Sequence, residues 1–260
     1  MMYSDLFFIK YNILNIININ KIFIDRVGIK NYYQPFIFDD NSNKLQKILG
    51  LWNIGNSVQN HKRGVHMSRF LYILNKILNK IISLKIIFKF YKFFNINYSN
   101  DFFLQLSFMY FVKKISPISL NFSLMNYKIT LFLKRNNIFK NFLLKLIIPI
   151  NTLCPCSKSI SLYNAHNQRS YISVFILLKK KLKICELLYY IEKQASISLW
   201  SFLKRIDEKY FTEYSYNNPK FIEDLTRNIY NKFNKFKFFL KLENLESIHN
   251  HNVYSFCKNF

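Results

Sequence analysis

Glycine and proline are scarce, four and five residues among 260, and alanine occurs only as Ala165 and Ala195. Collagen-like and linker-rich architectures are excluded, and little glycine remains for phosphate-cradling loops. No G-x-G-x-x-G motif is present. Acidic residues are also few, 14 Asp+Glu against 38 Lys+Arg, which gives a formal charge of +24. Long uncharged apolar runs are missing. The stretch from Ile77 to Phe94 is interrupted by Lys80, Lys85, Lys89 and Lys92, whereas a membrane-spanning helix needs roughly 18 or more nearly uncharged residues. The first residues contain Asp5 and Lys10 and no small-residue cleavage site, so no secretory signal is expected. Four cysteines, two of them in Cys154-Pro155-Cys156, make a poor disulfide framework because a one-residue spacing suits no bridge. A reducing, cytoplasmic location is expected.

What is present is a hydrophobic fraction of 50% with 18% aromatics, too apolar for a disordered basic tail and enough to bury a core in one large domain or two small ones. The charge points toward polyanions: RNA, an acidic membrane surface or a nucleotide triphosphate. Heavy use of Asn, Lys, Ile, Phe and Tyr instead reads as AT-biased coding, which supplies lysine wherever a polar surface tolerates it. In such a chain, scarce residues should persist where substitution is damaging. They gather around Gly28, Pro35, Gly64, Arg69, Pro149, Pro155, Ala165, Arg169, Ala195, Arg205 and Pro219.

The pattern along the chain is strand-rich, then helical, then strand-rich, apparently twice. Short apolar runs in 22–60 read as strands and turns. Helical spacing from Ser68, a plausible cap, to about Asn97 predicts a helix. Alternation predicts strands at 102–114, 123–134, 141–150, 171–179, 236–243 and 252–257. Helices are expected at Cys185 to Ala195 and at Asn218 to Phe233, the second capped by Asn218-Pro219. A repeated β-β-α-α-β-β plan, with a boundary near Arg135, summarises this order.

Gly50-Leu-Trp-Asn-Ile-Gly55-Asn56-Ser57 approaches a nucleotide phosphate loop, but Asn56 replaces the essential lysine and the segment reads as a hairpin turn. The segment 151–170 is richer. It collects Cys154, Cys156, Lys158, His166 and Arg169. A lone Cys-x-Cys or a lone His is usually structural, but together thiolate and imidazole are ligand types for zinc and related ions, which an acidic third ligand would complete. Candidate acids follow at Asp207-Glu208 and Glu223-Asp224. Glu246-Ser-Ile-His249-Asn-His251 adds two imidazoles and a carboxylate, and in an extended stretch His249 and His251 share a face.

Five blocks in order resemble the motifs of the type IB GTP cyclohydrolases: Ile24–Lys30, Lys62–Phe70, Asn151–Lys158 with Ala165–Ser170, Asp207–Glu213 with Asn218–Asp224, and Glu246–His251. The resemblance runs from about residue 24 to the C-terminus and implies an α+β enzyme of two tandem tunnelling-fold modules (residues 1–135 and 136–260), each β-β-α-α-β-β with an antiparallel sheet. It further implies a homotetramer with interfacial active sites. The implied reaction converts GTP and water to formate and 7,8-dihydroneopterin triphosphate, the first step of folate synthesis. By the same resemblance, Cys154, His166 and Glu208 would ligate a divalent metal (Zn, Mn or Fe). Glu223 would anchor guanine, and Glu246 and His249 would act beside Cys154 at the metal and its water. His66, Ser68, Arg69 and Lys158 or Arg169 would clamp the triphosphate. No membrane or nucleic-acid partner is implied.

The sequence departs from the family pattern where Leu124-Met-Asn-Tyr-Lys128 carries a basic residue in place of an acid, and where Ile206 replaces a proline before Asp207. Neither change touches a proposed ligand. A basic RNA-binding or ribosomal-type protein would account for the charge and would need no ordered Cys, His and Glu set, and a third reading is a decayed family member that still folds and assembles.

Overall fold

The computed structural model describes residues 19–40, 45–78, 80–84, 102–135, 140–178 and 182–259. Nine strands are present among them: β1 (Ile24–Asp39), β2 (Leu45–Val58), β3 (Ile81–Ser83), β4 (Phe102–Ile115), β5 (Phe122–Arg135), β6 (Lys140–Leu153), β7 (Asn167–Leu177), β8 (Phe238–Leu245) and β9 (Val253–Asn259). They form one sheet in the order β3-β1-β2-β4-β5-β6-β7-β8-β9. All neighbours are antiparallel except β1 and β3. The helices among these residues are α1 (Met67–Asn75), α2 (Pro155–Ile160), α3 (Ile184–Glu192), α4 (Arg205–Asn217) and α5 (Ile222–Phe233). None is long and apolar enough to cross a membrane.

The sheet follows from period-2 alternation. On β6, Leu144, Leu146, Ile148 and Ile150 are fully buried, while the intervening residues face the other way. Ile172, Val174 and Ile176 of β7 and Phe238, Leu240 and Leu242 of β8 extend that inner face. The apolar stripe of α5, with Ile222, Leu225, Ile229 and Phe233, closes over it. Each such side chain contributes about 1.5–3 kcal/mol on burial.

This arrangement corrects the expected α+β pair of β-β-α-α-β-β tunnelling-fold modules. The molecule is mostly one continuous sheet, because β5 and β6 pair from Lys128↔Ile147 to Arg135↔Lys140 and join the halves edge to edge. The described order is β-β-α-β-β-β followed by β-α-β-α-α-α-β-β. Three helices, not two, separate β7 from β8. The additional one, α4, reads RIDEKYFTEYSYN, whose aromatic and β-branched content lowers helix propensity. The helix expected from Ser68 begins at Met67, with His66 as N-cap, and ends at Asn75; its expected continuation over 85–97 lies outside the described residues. Asn218 caps the end of α4, and α5 starts only at Ile222. The Gly50–Ser57 segment is not a turn but the middle of β2. At Gly50 a Cβ would stand 2.8 Å from Leu106 Cδ1 and from Phe36 Cε1, so those side chains would have to shift to admit any other residue.

Two polar clusters pin α3 to the sheet at its opposite ends. Tyr110 and Tyr127, Cα partners on β4 and β5, rise beneath it. At the N-terminal end the Tyr110 hydroxyl donates to Asp40 and lies 2.9 Å from Cys185 Sγ, and the thiol donates to Asp40 at 3.1 Å. At the C-terminal end Glu192 accepts from Tyr127 (2.5 Å) and Lys114 (2.8 Å), and Lys114 also donates to the Leu199 carbonyl at 2.7 Å. Burial, reinforced by these neighbours, pushes both phenols well above the ordinary tyrosine range.

β2 and β4 pair only from Asn56↔Phe102 to Leu51↔Ser107 and then diverge. Across the gap the Gln46 side-chain amide donates to the Phe111 carbonyl at 2.7 Å and accepts from the Phe111 N–H at 3.0 Å. The resulting cleft, of about 390 Å³, has Cys185 and Tyr110 among its walls.

Candidate active site

The end of β6 is tied to the α3–α4 and α4–α5 connections. The Leu153 N–H donates to Ser196 Oγ (3.0 Å), the Lys220 N–H donates to the Leu153 carbonyl (3.2 Å), and Asn218 Nδ2 donates to the carbonyls of Ala195 and Ser196. Ala195 is buried in that connection, which accounts for one of the two alanines. Cys154 follows as the N-cap of α2, and its Sγ accepts from the Ser157 N–H at 3.5 Å. The Cys154 N–H donates to the His166 carbonyl at 3.3 Å, which sets the thiol-bearing and imidazole-bearing residues side by side. His166 Nδ1 lies 3.0 Å from Ser247 Oγ, a partner that no sequence pattern singled out.

The register Asn151↔Arg169↔Leu245 puts the ends of β6, β7 and β8 together. Arg169 and Glu246 therefore stand at the same end of the sheet as Cys154 and His166. His249 and His251 follow in the β8–β9 connection, with rings stacked 5.0 Å apart at 15°, as their two-residue spacing predicts. Glu223 is exposed in the first turn of α5, close behind the Lys220 tie to Leu153. Cys156 is exposed. Lys158 is committed elsewhere, donating to the Tyr216 carbonyl at 2.7 Å with its ammonium over the Tyr216 ring.

Two predicted groups are not brought to this end. Glu208 lies in the first turn of α4, paired with Arg205 at 2.8 Å, whereas α2 meets the last turn of α4 through Lys158 and Tyr216. At 1.5 Å per residue Glu208 and Tyr216 are separated by about 12 Å along that helix. Accordingly, no three His, Cys, Asp or Glu side chains among the described residues form a metal-holding group. His66, Ser68 and Arg69 open α1, after β2; the ladder Asn56↔Phe102↔Arg135↔Lys140 puts the end of β2 beside the start of β6, opposite Cys154. The first turn of α1 has no acidic residue and His66 makes no side-chain cap, so no side-chain carboxylate of that turn offsets the positive end of the helix dipole.

Asp207, the neighbour of Glu208, is a buried carboxylate that unites two elements. It accepts from Ile118 N (2.9 Å), Ser119 N (2.8 Å) and Ser119 Oγ (2.5 Å) in the β4–β5 turn, and from Lys204 N (2.8 Å) at the start of α4. Burial alone would raise its pKa, but these donors hold it well below the usual carboxylate range. The unfolded chain releases the proton near the ordinary carboxylate value, about 4. The depressed group therefore contributes stability above that pH, and the contribution is lost as pH falls through the folded value. Asp207→Asn is expected to lower Tm by roughly 5 °C at neutral pH and to flatten the fall of Tm below about pH 4. A variant retaining the wild-type acid limb would refute this role.

Residues 15–255 match the family model described as type I GTP cyclohydrolase FolE2. The chain belongs to that family. It is 39% identical over 241 residues to a protein named GTP cyclohydrolase FolE2 from Herminiimonas arsenicoxydans, an alignment spanning 90% of this chain and 91% of that one. The protein of the same name from Syntrophus aciditrophicus is 34% identical over 251 residues, covering 95% and 98%. FolE2 family membership thus embraces both the Cys154–His166 end and the α1 end of the sheet. Among solved structures, urate oxidase from Bacillus subtilis 168 aligns over 90% of this chain with TM-score 0.44 and 9% identity, too distant a likeness to carry an argument.

Proposed function

We propose that this GTP cyclohydrolase, of the IB division, hydrolyses GTP to formate and 7,8-dihydroneopterin triphosphate, opening folate synthesis in the cytoplasm as a homotetramer. The observation that carries this reading is the convergence of Cys154, His166, Glu223 and the Glu246–His251 loop at one end of the sheet.

Thiol and imidazole donors fit a borderline divalent ion such as Zn or Fe, and an acid as third ligand also suits Mn. Cys154 and His166 supply the first two. Glu208 lies toward the far end of α4 in its own chain, so the third ligand would be the partner subunit's Glu208 in the proposed tetramer. When bound, such an ion lowers the pKa of a coordinated water toward neutrality.

The chain's own residues do the rest. The Glu223 carboxylate accepts two N–H bonds from guanine, a pair adenine does not present. His249, an exposed imidazole beside Glu246, moves protons as the five-membered ring opens and formate leaves. Because α1 lies at the opposite end of the sheet from Cys154 within one chain, His66, Ser68 and Arg69 of the partner subunit would receive the triphosphate in the proposed tetramer, with Arg169 at the Cys154 end to meet it.

The deciding experiment is formate release from GTP by the purified, metal-loaded protein. Absence of formate would overturn the reading, whereas salt-sensitive RNA binding without turnover would favour the nucleic-acid alternative. Glu223→Gln is expected to raise KM for GTP at least tenfold with unchanged metal content; unchanged KM would remove Glu223 from guanine recognition.

A further inference from the structure

The sheet face away from the helices carries a basic cluster that the reaction does not use. Alternation turns Lys145 outward between buried Leu144 and Leu146. The register then sets Lys145, Phe175, Phe239 and Lys258 consecutively across β6 to β9. Lys128 and Lys241 occupy the adjacent row, on β5 and β8. Three strand spacings separate those two, about 15 Å between Cα atoms, so their long side chains reach a common centre over Lys145.

The aromatic part is preformed. Phe175 and Phe239 stack at 3.8 Å with an 18° interplanar angle, and the Lys145 ammonium sits 4.9 Å from the Phe175 ring centroid. Glu243, 3.3 Å from Lys241, is the nearby carboxylate, leaving the cations in excess. Burial and then repulsion from Lys128 and Lys241 lower the Lys145 pKa, a conflict that a bound anion would relieve. Met109 opposes Lys128 on β4 and the row beyond Lys145 begins with Phe132 and Leu143, so apolar side chains border the lysine cluster on these two sides. Along β6, extended chain separates Lys145 from Cys154 by about 30 Å, so this is not the GTP site of the same chain.

We propose that Lys128, Lys145, Lys241 and Lys258 bind a compact condensed phosphate, with the Phe175–Phe239 stack receiving the base when that phosphate belongs to a nucleotide. The chemistry is shared by a nucleoside triphosphate and free polyphosphate, and the site does not depend on the GTP reading.

The test is calorimetric titration of the full-length protein with ATP, tripolyphosphate, orthophosphate and a ten-nucleotide uridine oligomer. ATP is used because Glu223 should not retain it. Tripolyphosphate and ATP are expected to bind more tightly than orthophosphate. The pair Lys145→Gln and Lys241→Gln is expected to weaken both by about tenfold or more while formate release stays within about twofold. Phe239→Leu is expected to weaken ATP by about tenfold and to leave tripolyphosphate unchanged. Wild-type protein that binds neither ligand, or a double lysine variant that binds both as well as wild type, overturns the site. An oligomer that binds more tightly than ATP would show an extended nucleic-acid surface and overturn it too. A silent Phe239→Leu would remove the base-stacking part and assign the site to inorganic polyphosphate.

Discussion

Cys154→Ser is expected to lower formate release from GTP by about a thousandfold or more, while Cys156→Ser retains measurable turnover. The two thiols are separated by one proline and differ in every other respect. Cys154 follows β6, shares a backbone hydrogen bond with His166 and caps α2 through its sulfur. Cys156 is exposed within α2. Serine is a better N-cap than cysteine, so Cys154→Ser keeps the donor–acceptor pattern of the loop, and its thermal stability should match wild type. The loss would then be one of chemistry at the thiolate. Steady-state formate assays with metal content measured in parallel read both effects, and equal losses in the two variants would show that the wrong sulfur has been assigned.

The largest expected effect on stability is at Glu192. Its side chain is 5% exposed and that of Lys114 is 13% exposed, and together with Tyr127 they hold the C-terminal end of α3. Glu192→Ala would leave the Lys114 ammonium in a largely dry site with the Leu199 carbonyl and the Trp200 ring as its remaining partners. Removing one member of a buried pair costs about 3–5 kcal/mol, far more than losing a surface ion pair. Burial already lowers the Lys114 pKa, with Glu192 opposing the shift, so the variant should discharge Lys114 at a lower pH. Replacing both residues, Glu192→Leu with Lys114→Met, should recover most of the loss. Urea unfolding with an unchanged m-value is the measurement. A loss below about 1 kcal/mol for Glu192→Ala would mean that water reaches the pair.

The sheet was legible because alternation fixes which residues face inward, and strands from β4 to β9 stand close to where period-2 runs predict them. What alternation does not encode is how far pairing continues. The β5–β6 ladder turns two expected modules into one sheet, and that choice is made by the whole row of cross-strand contacts. Glycine misled at Gly50, where a close approach of Leu106 and Phe36 explains it better than a turn. α4 was hidden by its aromatic composition and is specified instead by Asp207, whose four donors come from two distant segments. In the site, the neighbourhood of Cys154 and His166 was readable, since both lie in one twenty-residue segment joined by a short helix. The separation of Glu208 from them was not, because it depends on the length and direction of α4.

The Gln46 amide has a dynamic consequence. It takes the place of a missing strand peptide opposite Phe111, so beyond Leu51↔Ser107 the divergent end of the β2–β4 junction is bridged by one side chain, where the rest of that junction is closed by consecutive backbone pairs. A rotamer change at Gln46 exposes the Phe111 amide without disturbing the rest of the ladder, giving the sheet a seam that opens far more often than the molecule unfolds. In Gln46→Ala the Phe111 amide should exchange with solvent deuterium much faster, while those of Leu131 and Leu146 keep their protection.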